Sequence, residues 1–112
     1  MKIVIILLLS FSFTYLSYGQ TAYTQTVRGS VIDADTEIPL SMTLVITENL
    51  STKFSAQTDA LGEFYIENVP IGKHTIKTIL GGFKPIILSN INVVSGKETV
   101  LNIVMEMDVI PI

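Results

Sequence analysis

Hydrophobic and polar positions alternate along most of the chain with a period of two residues. In the clearest stretch, Phe64 and Ile66 alternate with Glu63 and Tyr65, which is the pattern of a half-buried β-strand. By this phase Phe64 and Ile66 face a core, and Tyr65 faces away from it.

A tight turn precedes this strand. Asp59 and Gly62 bracket four residues, and Asp can hydrogen-bond its own backbone two residues on, while Gly tolerates conformations that other residues resist. Pro70 and Gly72 then indicate a second turn before the next alternating run. This part of the chain therefore predicts three strands joined by two tight turns.

The same alternation predicts the other strands. We expect a strand from about Thr26, and further extended segments at 42–47, 55–58, 73–80, 86–88, 91–94 and 99–106. Pro85 indicates that 86–88 is an edge strand or a strand bounded by loops, and 55–58 is also expected near an edge. No segment has apolar residues at helical spacing behind a capping signal. Seven or so short strands at intervals of about ten residues predict an all-β sandwich.

The phase of each strand predicts which side chains point inward. In the first strand these are Val27, Gly29 and Val31, and Gly29 suggests a bulge or the close approach of another element. In the last strand they are Leu101, Ile103 and Met105. In the second strand we expect Met42, Leu44 and Ile46 to point inward, and Thr43, Val45 and Thr47 to point outward.

Five apolar residues fall on predicted solvent faces: Ile32, Val45, Ile79, Val100 and Val104. If they share one sheet face, they form an apolar patch of the kind that marks a partner-binding surface. If they are dispersed over both sheets, they are the scattered apolar residues of an ordinary surface.

Residues 1–19 have the pattern of a secretory signal peptide. Lys2 precedes the unbroken apolar run 3–9, and Ser17-Tyr18-Gly19 offers the small residues that a signal peptidase reads. The alternative is an uncleaved anchor, but the apolar stretch is shorter than the roughly 20 residues of a spanning helix. We therefore predict a signal peptide at 1–19, a flexible lead-in at 20–25, one β-sandwich at 26–107, and a tail or the start of a truncated continuation at 108–112.

Charge and cysteine content limit the compartments and the classes of partner that the sequence predicts. Cleavage after Gly19 removes Lys2 and no acid, which leaves six basic against ten acidic residues and a net charge of −4. The remaining basic residues are dispersed, which argues against nucleic acid as a partner. The chain has no Cys, and export without disulfides suits a bacterial envelope. We expect location in the periplasm, the outer membrane or on the cell surface.

Candidate chemistry is sparse. His74 is the only histidine, and we interpret it as a satisfied structural residue rather than a ligand or general base. The acidic concentration of Asp33, Asp35, Glu37 and Asp59 is interpreted as solvated turn acids rather than a calcium site. We therefore expect no catalytic, cofactor-binding or metal-binding residue, and no cofactor. Tyr65 is the one candidate for stacking on a sugar, against the alternative of cross-strand packing.

The chain resembles the carboxypeptidase regulatory-like domain from about residue 27 to 106. The resemblance rests on several short motifs in order: Gly29-Ser30-Val31-Ile32-Asp33, Pro39-Leu40, Thr58-Asp59 with Gly62 and Phe64, Val69-Pro70 with Gly72, Gly82-Phe83, and Leu101-Asn102-Ile103. It implies a seven-stranded Greek-key β-sandwich of the transthyretin/prealbumin type, with no catalytic activity of its own.

The best-known setting of such a domain is the N-terminus of TonB-dependent outer-membrane receptors. The resemblance therefore implies an accessory or interaction module that docks on an envelope protein or an adjacent receptor domain. A stand-alone secreted module that binds a glycan or similar ligand is the alternative, and a surface groove lined by Tyr65 and polar side chains would favour it. The sequence leaves the oligomeric state open.

Overall fold

The computed structural model describes residues 23–109, which form seven β-strands and no helix. In chain order they are β1 (Thr24–Asp33), β2 (Leu44–Glu48), β3 (Lys53–Gln57), β4 (Glu63–Pro70), β5 (Gly72–Ile79), β6 (Ile86–Val93) and β7 (Thr99–Met105). Within this part of the chain, no helix is long and apolar enough to cross a membrane. The predicted signal peptide 1–19, residues 20–22 of the predicted lead-in and residues 110–112 of the predicted tail lie outside the described residues.

The strands form two sheets. One has three strands in the order β4-β1-β7, and the other has four in the order β3-β2-β5-β6. The chain crosses from one sheet to the other after β1, β3, β4 and β6, and β7 returns to pair in parallel with β1. This arrangement confirms the predicted all-β Greek-key sandwich.

The core lies between the sheets and follows the predicted alternation in most strands. The three-stranded sheet buries Val27, Val31, Phe64, Ile66, Ile103 and Met105, and the four-stranded sheet buries Val45, Ile76 and Val93. Removing this apolar surface from water is the main stabilising contribution to the fold. β1 begins at Thr24 rather than near Thr26, because Thr24 and Gln25 pair with Pro70 and Val69 of β4.

The predicted phase of β2 is wrong. Thr43, Val45 and Thr47 face the core and are fully buried, whereas Met42 is 69% exposed. Met42 has a φ of 59° and stands in the turn before the strand. Ile46 is buried on the opposite face, so β2 is apolar on both faces and alternation alone could not fix its phase. Hydrogen bonds fix it instead, since the Thr43 amide donates to Thr58 Oγ1 at 2.9 Å.

Two bulges modify the predicted strands. β4 has one more residue between Ile66 and Val69 than the stretch of β1 that pairs with it. Asn68, one of the residues in this bulge, has a φ of 60°. The same occurs in β6 at Asn90, with a φ of 59°. Asn tolerates this left-handed conformation better than most residues. The segments predicted separately at 86–88 and 91–94 are therefore one bulged strand, at the edge that Pro85 predicted.

Candidate functional site

The outer face of the three-stranded sheet carries a row of polar side chains around Tyr65. Strand register places Arg28 of β1 directly between Tyr65 of β4 and Val100 of β7. One step further along the sheet, Ser30 lies between Glu63 and Asn102. Side chains at these positions share a face because each strand turns alternate residues to the same side.

These side chains line a surface groove of about 630 Å³. We call it the Tyr65 groove, and its polar lining residues are Arg28, Ser30, Gln57, Asp59, Glu63, Tyr65, Glu98 and Asn102. The Tyr65 side chain is 54% exposed, so its ring is open to a ligand. The groove matches the sequence-based condition that favours glycan binding, namely Tyr65 surrounded by polar side chains.

Cross-strand contacts hold the centre of the groove. Arg28 Nε lies 3.4 Å from Glu98 Oε2, and the Tyr65 hydroxyl donates to the same oxygen at 3.5 Å. Ser30 Oγ donates to Asn102 Oδ1 at 3.3 Å. These contacts are solvent-exposed and therefore weak. They orient the side chains and leave hydrogen-bond donors free for a ligand, since Arg28 and Asn102 each have further N–H groups.

Backbone features set the groove's floor and rim. At Gly29 a Cβ atom would lie 1.8 Å from the Leu101 carbonyl oxygen, so β7 approaches β1 closely, as the sequence suggested. At the rim, Asp59 Oδ1 accepts the amides of Leu61 and Glu63, each at 2.9 Å. Gly62 has a φ of 73°. This is the predicted Asp59–Gly62 turn, and it positions Glu63 at the start of β4.

His74 is a buried residue of β5. It is 1% exposed, and its Nε2 lies 2.7 Å from the Pro70 carbonyl oxygen. The predicted satisfaction of the ring is half right, because the buried Nδ1 has no hydrogen-bond partner among the described residues. His74 borders a second groove of about 330 Å³ beside the β2–β3 connection.

Two of the four acidic turn residues, Asp33 and Asp59, accept hydrogen bonds from backbone amides. Asp33 is buried rather than solvated, and its Oδ1 accepts the Asp35 amide at 2.8 Å. Asp35 and Glu37 are exposed, and Asp59 is used in its own turn. Within residues 23–109 no group of three His, Asp or Glu side chains could hold a metal ion.

The five residues of the predicted apolar patch do not share one sheet face. Val45 is in the core, Ile79 lies on the four-stranded sheet, and Ile32, Val100 and Val104 lie on the three-stranded sheet. This dispersal contradicts the hypothesis that the five residues share one face. Sequence reasoning found Tyr65 but missed Arg28, Glu98 and Asn102 as its neighbours, because their proximity depends on the pairing of β1 with both β4 and β7.

Several solved structures share this fold. A chain of an N-terminal interface mutant of the type II cohesin–X-dockerin complex from Acetivibrio cellulolyticus is 25% identical over 74% of this chain, with a TM-score of 0.60. A proposed carbohydrate-binding protein from Bacteroides uniformis is 17% identical over 74%, with a TM-score of 0.62. The 3-chlorocatechol 1,2-dioxygenase of Rhodococcus opacus is 12% identical over 79%, with a TM-score of 0.61.

This chain spans only part of those proteins, covering 58%, 41% and 61% of their respective lengths. The likeness to the second and third shows the fold alone. No curated protein sequence matches the chain. The family model of the carboxypeptidase regulatory-like domain matches residues 26–106, which include every strand except the first two residues of β1. The chain therefore belongs to the carboxypeptidase regulatory-like domain family.

Proposed function

We propose that this chain is a non-enzymatic recognition module of an exported bacterial envelope protein, and that the Tyr65 groove binds a glycan. The observation that carries the proposal is the half-exposed Tyr65 ring in a groove of about 630 Å³ lined by polar side chains. An aromatic ring offers a flat apolar surface to the C–H face of a sugar. The surrounding amide, hydroxyl, carboxylate and guanidinium groups match sugar hydroxyls as donors and acceptors.

The charge of the groove favours a neutral glycan over an acidic one. Three carboxylates line it, from Asp59, Glu63 and Glu98, against the single cation of Arg28. An anionic sugar would meet net repulsion and would also compete with Glu98 for Arg28. The fold relative from Bacteroides uniformis, itself a proposed carbohydrate-binding protein, adds support by analogy only.

Binding can be tested by calorimetry with neutral cello-, xylo- and manno-oligosaccharides, and with oligogalacturonate as the acidic comparison. We expect at least one neutral series to bind and Tyr65→Ala to weaken it about tenfold or more, which corresponds to about 1.4 kcal/mol. Tyr23→Ala is the matched control, since Tyr23 is 68% exposed and does not line the groove. Equal effects of the two substitutions, or preference for oligogalacturonate, would contradict the proposal.

A second candidate function is docking on another envelope protein, as an accessory domain of a TonB-dependent receptor. The family resemblance supports it, and so does a fold relative that was solved in a cohesin–X-dockerin protein complex. The test is to read the genomic sequence past the codon for Ile112. An in-frame plug and barrel would support a receptor domain, whereas a stop codon at that point would favour a module that acts alone. Fractionation of the native host would test export to the periplasm or outer membrane.

A further inference from the structure

Among the four edge strands of the described residues, β7 is the one whose own sequence carries no protection against pairing with another chain. Such protection includes charges, proline, bulges and very short strands. β4 carries Glu63, Glu67 and a bulge, β3 has five residues and includes Lys53, and β6 is bulged at Asn90. β7 is a seven-residue strand, TVLNIVM, with no charge, Pro or Gly, and it pairs in regular register with β1 alone.

The free backbone groups of β7 belong to its even-numbered residues. The Met105 carbonyl accepts the Ala34 amide on the β1 side, while the next carbonyl, of Glu106, accepts the Lys84 amide. Successive residues of a strand direct their N–H and C=O groups to opposite sides. The N–H and C=O groups of Val100, Asn102 and Val104 therefore point away from β1, and among residues 23–109 no strand pairs with them. The segment 82–84 occupies this side only further along, opposite 106–108.

The side chains along this edge are self-complementary. Val100 and Val104 are 49% and 48% exposed and stand two residues on either side of Asn102. A two-fold axis at Asn102 would place Val100 opposite Val104 of a second copy, and Asn102 opposite Asn102 of that copy. Both valines would be covered, and the two Asn amides could pair.

We propose that two copies of this chain associate through antiparallel pairing of their β7 strands, centred on Asn102, to give one continuous six-stranded sheet. Three residue pairs would each exchange two N–H···O bonds. The pairing would end at Val104, because the Glu106 carbonyl oxygen already accepts the Lys84 amide. Beyond each end, Glu98 and Glu106 have cation partners in Arg28 and Lys84 at 3.4 and 3.7 Å. The ends of the interface therefore carry balanced charge.

The oligomeric state of the purified protein tests the proposal. We expect sedimentation equilibrium to give twice the chain mass at high micromolar concentration, and Val104→Lys to reduce it to one chain mass. Ile79→Lys is the matched control, because Ile79 is 45% exposed on the outer face of the other sheet. That variant should keep the doubled mass.

A cross-link tests the register independently. The chain has no Cys, so Asn102→Cys introduces one thiol per copy. Hydrogen-bonded partners in an antiparallel pair have Cα atoms about 5.5 Å apart, within the range that a disulfide spans. We expect oxidised Asn102→Cys to give a covalent dimer and Glu67→Cys, on the exposed face of the opposite edge strand β4, to give none. A single-chain mass for the unmodified protein, or equal cross-linking at both positions, would overturn the proposal.

Discussion

Among the described glycines, Gly29 has the least room for a side chain. An added Cβ would lie 1.8 Å from the Leu101 carbonyl oxygen, so β1 and β7 would have to separate. We predict that Gly29→Ala lowers the free energy of unfolding by about 3 kcal/mol, at the upper end for overpacking. Urea denaturation measures the loss. Gly81→Ala is the control, because nothing lies within 4 Å of a Cβ there, and a similar loss in both variants would contradict the cause.

Two buried threonines of the four-stranded sheet lack hydrogen-bond partners for their hydroxyls among the described residues. Thr47 and Thr78 are fully buried and their hydroxyls have no hydrogen-bond partner within the described part of the chain. Thr→Val at either position removes an unsatisfied polar group, so we expect stability to rise by about 1 kcal/mol. Thermal denaturation would show the gain as a higher midpoint.

Thr58→Val is the matched comparison. The Thr58 hydroxyl accepts the Thr43 amide and donates to the Leu40 carbonyl oxygen. Its removal leaves both groups without this partner, so we expect a loss of about 1–3 kcal/mol. If all three Thr→Val variants shift in the same direction, hydrogen bonding does not distinguish these positions.

The pairing of β2 with β5 includes a charge contact that depends on pH. Lys77 Nζ lies 2.6 Å from Glu48 Oε1. The hydrogen bond from Lys77 lowers the pKa of Glu48 below its ordinary value of 4.5; desolvation opposes this shift, and the charges of Lys77 and Lys53 add to it. Because the folded-state pKa is depressed, this contribution is fully present above about pH 4.5 and is lost as the pH falls through the lower, folded-state value.

We therefore predict that Glu48→Gln is less stable than the unmodified protein at pH 7, and that the difference shrinks in strong acid. Urea midpoints at both pH values test this. A difference that is the same at pH 7 and in strong acid would mean that the carboxylate does not contribute through its charge. The pair is partly exposed, so the effect should be small.

The elements show which parts of the fold the sequence could predict. β4, which has one apolar and one polar face, is predicted with the right phase because alternation reports burial directly. β2 was not, since Val45 and Ile46 are buried on opposite faces and its phase depends on the Thr43–Thr58 contact. The bulges at Asn68 and Asn90 were also missed. An inserted residue interrupts the two-residue period, and the Asn itself is the only sequence signal of the bulge.

The functional surface was less predictable than the fold. Tyr65 could be assigned to the outside from its own strand alone. Its neighbours Arg28 and Glu98 come from residues 37 and 33 positions away in the sequence, and only the order β4-β1-β7 brings them to one face. The groove is therefore a property of the sheet, and no local motif encodes it.

Taken together, the β7 dimer and the Tyr65 groove predict how the whole assembly would bind a polymer. Pairing at β7 joins two three-stranded sheets, so both grooves would open on one face of the same sheet. Five strand spacings of about 4.8 Å separate the two β4 strands, which puts the two Tyr65 rings about 24 Å apart or more. A long glycan could contact both grooves, and the second contact would be intramolecular.

We predict that the dimer binds a long polysaccharide at least about tenfold more tightly than a short oligosaccharide of the same sugar. Val104→Lys should remove this advantage and leave oligosaccharide affinity unchanged, because Val104 does not line the groove. Tyr65→Ala should weaken binding of both ligands, since it acts within each groove. If Val104→Lys yields a single-chain protein that keeps the full affinity for the polymer, the two grooves do not act together.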